Sequence, residues 1–363
     1  MIITALELKN FRNLNLLLTP APHFNLILGK NGIGKSNLLD ALYHLALGKS
    51  FKPYTLKNNV NFHDQSFALI RTDLVKAGIS KELKIIFSIT EDESERKRLE
   101  INTKPTTRAK FINNLSLILF APHNTNLLVS TPDIRRNELD DFASTLDFRY
   151  AMKLSEYRSV LRTRNSLLRA LSEGFAKASE LDYWDEKLAE LGGSLIAMRF
   201  SLFAALKPRL QELAKQHFAP DFGQLELTYL TKFTDGDPIM LLRNKLKDNR
   251  IKEIAAGQTL YGPHKDDFAI LNSNKDLKLF GSRGQQRIST LLLKLSMWEQ
   301  LRKTNHIKPL ILLDDAMAEL DADNRVKLEE IISELKAQTF VATTHESDYS
   351  KKLLKQMEIF RLD

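Results

Sequence analysis

The chain opens with alternating apolar and polar positions from Ile2 to Leu8, the period of a half-buried strand. A continuous apolar run, Phe24 to Leu28, predicts a second and more deeply buried strand. Leu38, Leu39, Leu42 and Leu45 then recur at helical spacing, predicting a helix from Ser36 to about Leu47. Between Ile70 and Ile101 the pattern suggests antiparallel strands, with the charged run Glu91 to Arg98 read as a solvated turn.

From Arg149 the period changes. Tyr150, Leu154, Tyr157, Leu161, Leu168 and Leu171 follow three- and four-residue steps, interrupted only by Arg164, which predicts a long amphipathic helix. After a break at Ser172 to Glu180 the spacing returns with Leu181, Trp184, Leu188, Leu191, Leu195, Met198 and Leu202. Two such helices fold back as a short antiparallel arm over about 149–216. Asp235, Gly236, Asp237 and Pro238 form a turn. Beyond Ile254 the strands Pro309–Leu313 and Thr339–Thr344 restore an α/β pattern.

At 363 residues the chain exceeds what one hydrophobic core usually organises. The expected fold class is therefore α/β, with a head of residues 1–133 and 255–363 split by a mainly helical second domain, 134–254, that carries the arm.

Gly29, Lys30, Asn31, Gly32, Ile33, Gly34, Lys35 and Ser36 match G-x-x-x-x-G-K-[ST] between an apolar strand and a helix. In that context backbone N–H groups curl around phosphate oxygens, Lys35 reaches the outer phosphates, and Ser36 offers a hydroxyl to Mg2+. A glycine-rich turn without a ligand is the bland alternative. Leu310 to Leu313 lead into Asp314 and Asp315. Paired carboxylates at a strand end can hold Mg2+ (Asp314) and orient an attacking water (Asp315), or merely cap a turn.

Charge adds a second theme. Lys and Arg outnumber Asp and Glu by 53 to 45, for a net charge of +8, which leans towards a polyanionic partner as well as fitting ordinary surface charge. Lys153, Arg158, Arg162, Arg164 and Arg169 share one expected helix. They read either as a DNA-phosphate footprint or as a solvated face. There is no cysteine, so disulfides, thiolate metal sites and cysteine nucleophiles are excluded, which agrees with a reducing cytoplasm. No uncharged apolar stretch approaches the ~18 residues of a membrane span, and the start lacks a leader pattern.

Further segments carry a resemblance. Ser282, Arg283, Gly284, Gln285 and Gln286 resemble the signature loop of the ABC ATPase class, which such dimers present to the γ-phosphate of the opposite protomer; standing alone, the pentapeptide is as well read as a helix cap. Glu319, Leu320 and Asp321 look like that class's D-loop, and His345 stands where the class has its switch histidine or is incidental. The head is thus expected to be ABC-ATPase-like.

Within that class the chain resembles the RecF family through Leu8 to Asn13, Gly48-Lys49-Ser50-Phe51, Gly262 to Asp267, and Thr131 to Asp140. It departs from the family at Ser130, where glycine is usual, and at Glu138, where an aromatic is usual. The resemblance adds Arg12 and Asn37 to the ATP site. It leaves Arg135 and Arg136 with two roles, the favoured one a structural tie through Asp140 or Asp141, the other a phosphate contact.

The resemblance implies an ATP- and Mg2+-using homodimer that binds double-stranded and gapped DNA and hydrolyses ATP slowly. It further implies work with RecO and RecR in loading RecA at SSB-coated gaps, in the cytoplasm at the nucleoid. Three rivals share the phosphate loop: an ABC transporter subunit, an SMC-type ATPase and a small-molecule kinase. The hairpin and basic balance count against the first and the short insertion against the second. ATP-dependent dimerisation would reject the third.

Overall fold

The computed structural model describes residues 1–52, 54–60, 66–90, 94–122, 126–219, 221–317 and 320–362. Backbone contacts divide the chain into two compact units, Met1–Leu127 with Arg283–Asp363, and Leu128–Ser282.

The first unit holds a parallel sheet whose strands run in the order Met357–Arg361, Phe24–Leu28, Thr339–Thr343, Leu310–Asp314 and Leu117–Phe120. Its inner strands are buried at every position, which is why they read as unbroken apolar runs. A six-stranded antiparallel sheet orders Leu14–Leu18, Ile2–Phe11, Phe67–Lys76, Ile79–Ile89, Glu95–Ile101 and Lys104–Pro105. The helix Lys35–Leu47 packs against strands of both sheets, and nearly all its residues are buried. It is apolar nearly all round because it has no solvent face.

The charged run is corrected here. Glu95–Ile101 is a strand paired with Ile79–Ile89, because its long charged side chains lie along the sheet instead of in a turn. Lys97, for example, donates to the carbonyl of Gly48. Glu91 to Glu93 lie outside the described residues.

The second unit contains the helices Pro132–Leu146, Phe148–Ser172, Leu181–Phe218, Pro238–Asp248 and Arg250–Ala256, with a small antiparallel sheet ordered Lys275–Asp276, Asp267–Asn272 and Leu225–Leu230. The two expected helices are present, but they form no free arm. Leu181–Phe218 packs on Phe148–Ser172, on Pro238–Asp248 and on the sheet. Gly193 allows a close approach to Pro238–Asp248, since a Cβ there would stand 2.5 Å from the Ile239 Cα. This 38-residue helix contains a window apolar enough, by length and composition, to cross a membrane. More than half of that window is buried against its neighbours, and Arg199 within it is ion-paired.

The expected domain boundaries also move, from 133/134 and 254/255 to 127/128 and 282/283. Asp267–Asn272 pairs with Leu225–Leu230, Ile270 opposite Leu227, so backbone hydrogen bonds hold that stretch to the insertion.

Candidate nucleotide site

The strand Phe24–Leu28 delivers the chain to Gly29, and the helix begins at Lys35. Between them Gly32 and Gly34 take φ of 83° and 119°, the left-handed region that favours glycine. At Gly34 space is also closed, because a Cβ would meet Leu14 Cδ2 at 2.7 Å. Asn13 Nδ2 donates to the Ile33 carbonyl at 2.7 Å, and Asn37 Nδ2 donates to Asn13 Oδ1 at 2.7 Å, pinning the loop from outside. Lys35 folds back over it, its Nζ donating to the Gly29 and Lys30 carbonyls at 2.8 and 3.0 Å.

Sheet register places the acidic pair. Asp314 lies opposite Ala342, and Ala342 opposite Ile27, so Asp314 is level with the residues just before the loop. Ser36 Oγ donates to Asp314 Oδ1 at 2.8 Å. Asp315 follows at φ 46°, its N–H donating to the Ala342 carbonyl at 3.0 Å. Burial raises the pKa of Asp314 above the usual carboxylate range, and the charge of Asp315 adds to this against the Ser36 hydrogen bond and the Lys52 and Lys35 ammoniums. Burial likewise raises Asp315, helped by Asp348 and opposed by Lys35 and His345. A buried Asp314 carboxylate beside a hydroxyl, with a second carboxylate next to it, is stabilised by a cation. Among the described residues no group of three or more His, Cys, Asp or Glu is placed to hold a metal. Ser36 and Asp314 fit Mg2+, which takes one or two protein oxygens and fills its octahedron with phosphate and water.

Leu28 to Asn31, Ile33, Thr344, His345, Arg361 and Leu362 border an open cleft of about 740 Å³. His345 is exposed there, and its N–H donates to Thr343 Oγ1 at 3.3 Å.

Arg12 departs from its expected role. It is 4% exposed, and its guanidinium donates to Asn37 Oδ1 (2.9 Å), Asn59 Oδ1 (3.1 Å) and Ser50 Oγ (3.3 Å) and pairs with buried Asp40. It braces the loop's flank through Asn37; its charge is already matched. Lys52, which the sequence reading passed over, donates to the same Asn37 Oδ1 at 3.1 Å. Burial lowers its pKa, with Arg12 adding and Asp40 and Asp314 opposing. The available signal was its place one residue after Gly48-Lys49-Ser50-Phe51.

Ser282, Arg283 and Gly284 are exposed, Gln285 and Gln286 half-buried, and the helix Arg283–Asn305 starts at once. Leu320 is buried, while Asp321 caps the helix Ala322–Leu335, its Oδ1 accepting from the Asn324 N–H at 2.9 Å. Glu319 lies outside the described residues.

The basic helix divides. Arg158, Arg162 and Arg169 are exposed and fall within about 40° of one another around the helix. Lys153 is half-buried on another face. Arg164 is corrected: it is fully buried, bonded to Asp185 (2.7 Å), Glu253 (2.7 Å) and Thr259 Oγ1 (2.8 Å), so it reaches no phosphate. Its place in the apolar pattern was the clue. Arg135 and Arg136 are structural, but through other partners than expected. Arg135 pairs with Asp267 and donates to the Leu128 carbonyl at 3.1 Å; Arg136 donates to the Asp266 carbonyl at 2.8 Å. Asp140 is occupied by Tyr150, Arg158 and Arg199.

The family described as RecF/RecN/SMC N terminal domain matches residues 2–362. The DNA replication and repair protein RecF of Heliobacterium modesticaldum is 33% identical, with 100% of this chain and 97% of that protein covered. That of Ligilactobacillus salivarius is 32% identical over 100% and 96%. A solved structure of the recombination mediator protein RecF-ATP in the RecFOR pathway superposes with a TM-score of 0.87 at 30% identity, covering 96% of this chain and 93% of that one. An Smc head domain with an extended coiled coil, bound to the C-terminal domain of ScpA from Pyrococcus furiosus, reaches a TM-score of 0.51 at 17% identity over 95% and 90%, a likeness of fold alone.

Proposed function

The chain belongs to the RecF family of DNA replication and repair proteins, and on that premise we propose that it is an ATP-dependent DNA clamp. It binds ATP in the first unit, dimerises around it, holds double-stranded and gapped DNA, and hydrolyses ATP slowly. The observation that carries this reading is the 2.8 Å contact between Ser36, next to Lys35 in the phosphate loop, and Asp314.

In this reading the loop amides from Gly29 to Lys35 receive phosphate oxygens, Lys35 leaves its carbonyl partners for the outer phosphates, and Asn37 frames the loop's end. Ser36 and Asp314 would hold Mg2+, which supplies charge neutralisation at the phosphates when bound. Asp315 orients and accepts a proton from the attacking water.

Ser282, Arg283 and Gly284 stand exposed at the start of a 23-residue helix, which would face the outer phosphate of a second copy; Leu320 and Asp321 would line the same contact, and His345 would sense the nucleotide. Arg158, Arg162 and Arg169, with Lys153, supply sequence-independent contacts to DNA phosphates. Family membership supports action with RecO and RecR in loading RecA at gaps, in the cytoplasm at the nucleoid.

Light scattering of the protein without nucleotide, with ADP, and with ATP and Mg2+, each with and without a short duplex, tests this. An ATP-specific shift to a dimer that binds duplex is expected. Constant mass without DNA affinity would return the site to a small-molecule P-loop enzyme.

A further inference from the structure

Two large apolar side chains, Leu279 and Phe280, stand side by side at 70% exposure each, immediately upstream of Ser282. Single exposed apolar residues are ordinary. This pair is held out by its surroundings. The one-turn helix Leu277–Phe280 is capped by Asp276, whose Oδ1 accepts from the Lys278 N–H at 2.9 Å. Leu277, 3% exposed, anchors it in the core. The turn closes where the Gly281 N–H donates to the Leu277 carbonyl at 3.1 Å. That closure requires glycine by close approach, because a Cβ at Gly281 would lie 2.6 Å from the same carbonyl oxygen. The knob cannot fold inward without breaking the cap or lifting Leu277 out.

We propose that Leu279 and Phe280 are the apolar anchor of the contact between two copies of this chain, seated beside the second copy's phosphate loop. This rests on the reading of Ser282 to Gln286 as a loop that engages the opposite nucleotide. Consecutive Cα atoms are about 3.8 Å apart, so Phe280 stands at most about 8 Å from Ser282. If Ser282 touches the second copy's nucleotide, the exposed knob lies within reach of that copy's surface. The segment Ser282 to Gln286 is polar throughout, and polar contacts of that kind give orientation more than affinity. Adjacent rigid aromatic and aliphatic side chains supply the missing desolvated centre. In the free chain the pair would face water, so the anchor is expected to act only when nucleotide brings two copies together.

The test is the full-length chain carrying Leu279→Ser with Phe280→Ser, compared with wild type by light scattering in ATP and Mg2+ over a range of protein concentrations. Each is also titrated with a fluorescent ATP analogue, scanned for Tm, and titrated with duplex under conditions where both are monomeric. The expected result is a dimer dissociation constant raised roughly ten-fold or more, with unchanged monomer affinity for the analogue and unchanged Tm. Wild type that dimerises beside a double variant that dimerises equally overturns this inference alone. So does a variant that dimerises normally but has lost duplex affinity, which assigns the knob to DNA. Wild type that stays monomeric with ATP overturns the clamp reading and this inference together.

Discussion

Ser36 and Asp314 are 278 positions apart in the chain, yet their side chains meet at 2.8 Å. The contact joins the first turn of the phosphate-loop helix to the end of a neighbouring strand, and it depends on the register that sets Asp314 level with Ala342 and Ile27.

Asp314→Asn should therefore remove the dependence of ATP affinity on Mg2+ while leaving metal-free binding largely intact, and Asp315→Asn should spare both but slow turnover by about 10²–10⁴-fold. Calorimetric titration of ATP at several Mg2+ concentrations, paired with phosphate release, separates the two. An Asp314→Asn protein with wild-type Mg2+ dependence would refute the assignment.

Lys35→Ala should abolish ATP binding and, with it, dimerisation. Ser282→Arg should leave monomer binding of ATP unchanged and block association only. If the Ser282→Arg protein dimerised and hydrolysed ATP like wild type, a composite site would be untenable; scattering and nucleotide titration of both variants decide it.

Arg164 and Arg162, two residues apart on one helix, should behave oppositely. Arg164→Ala strands Glu253 in the interior, while Asp185 keeps its pair with Arg250, and is expected to cost about 3–5 kcal/mol of stability. Arg162→Ala should change stability by less than about 0.5 kcal/mol and instead weaken duplex binding while flattening its salt dependence. Denaturant melts and duplex titrations at several salt concentrations read both effects.

His264 is held neutral, its pKa lowered to about 4 chiefly by burial. Its Nδ1 accepts from the Tyr157 hydroxyl at 2.6 Å, and its Nε2 lies 3.2 Å from the Thr259 carbonyl, which selects the Nε2–H tautomer. Between its ordinary value near 6.5 and about 4 the unfolded chain binds the proton and the folded chain does not, so stability falls as pH falls through that window. The expected loss from this group between pH 7.5 and 5 is about 2 kcal/mol. Wild type should lose that much more than His264→Gln in denaturant melts at the two pH values; parallel losses would show that His264 is not the group responsible.

What could be read from the chain alone was whatever is local. The phosphate loop is contiguous, and its glycines, lysine and serine carry their geometry with them. The apolar runs Phe24–Leu28 and Leu310–Leu313 reported burial on both faces, and the helical spacing after Arg149 reported two packed helices. Each depends on neighbours within a few residues, where backbone sterics and side-chain period act directly. The partition at Ser282 and Arg283 was not legible, because it follows from strand Asp267–Asn272 pairing with Leu225–Leu230 some forty positions away. Charge misled in the same manner. Arg164 looks like Arg162 in sequence, and the resemblance sets Arg12 at the nucleotide, until Asp185, Glu253 and Asp40 arrive from other segments and the buried guanidinium groups pair with them. The motifs thus belong to the sequence, whereas which charges face a ligand and which are enclosed was decided only when remote elements packed together.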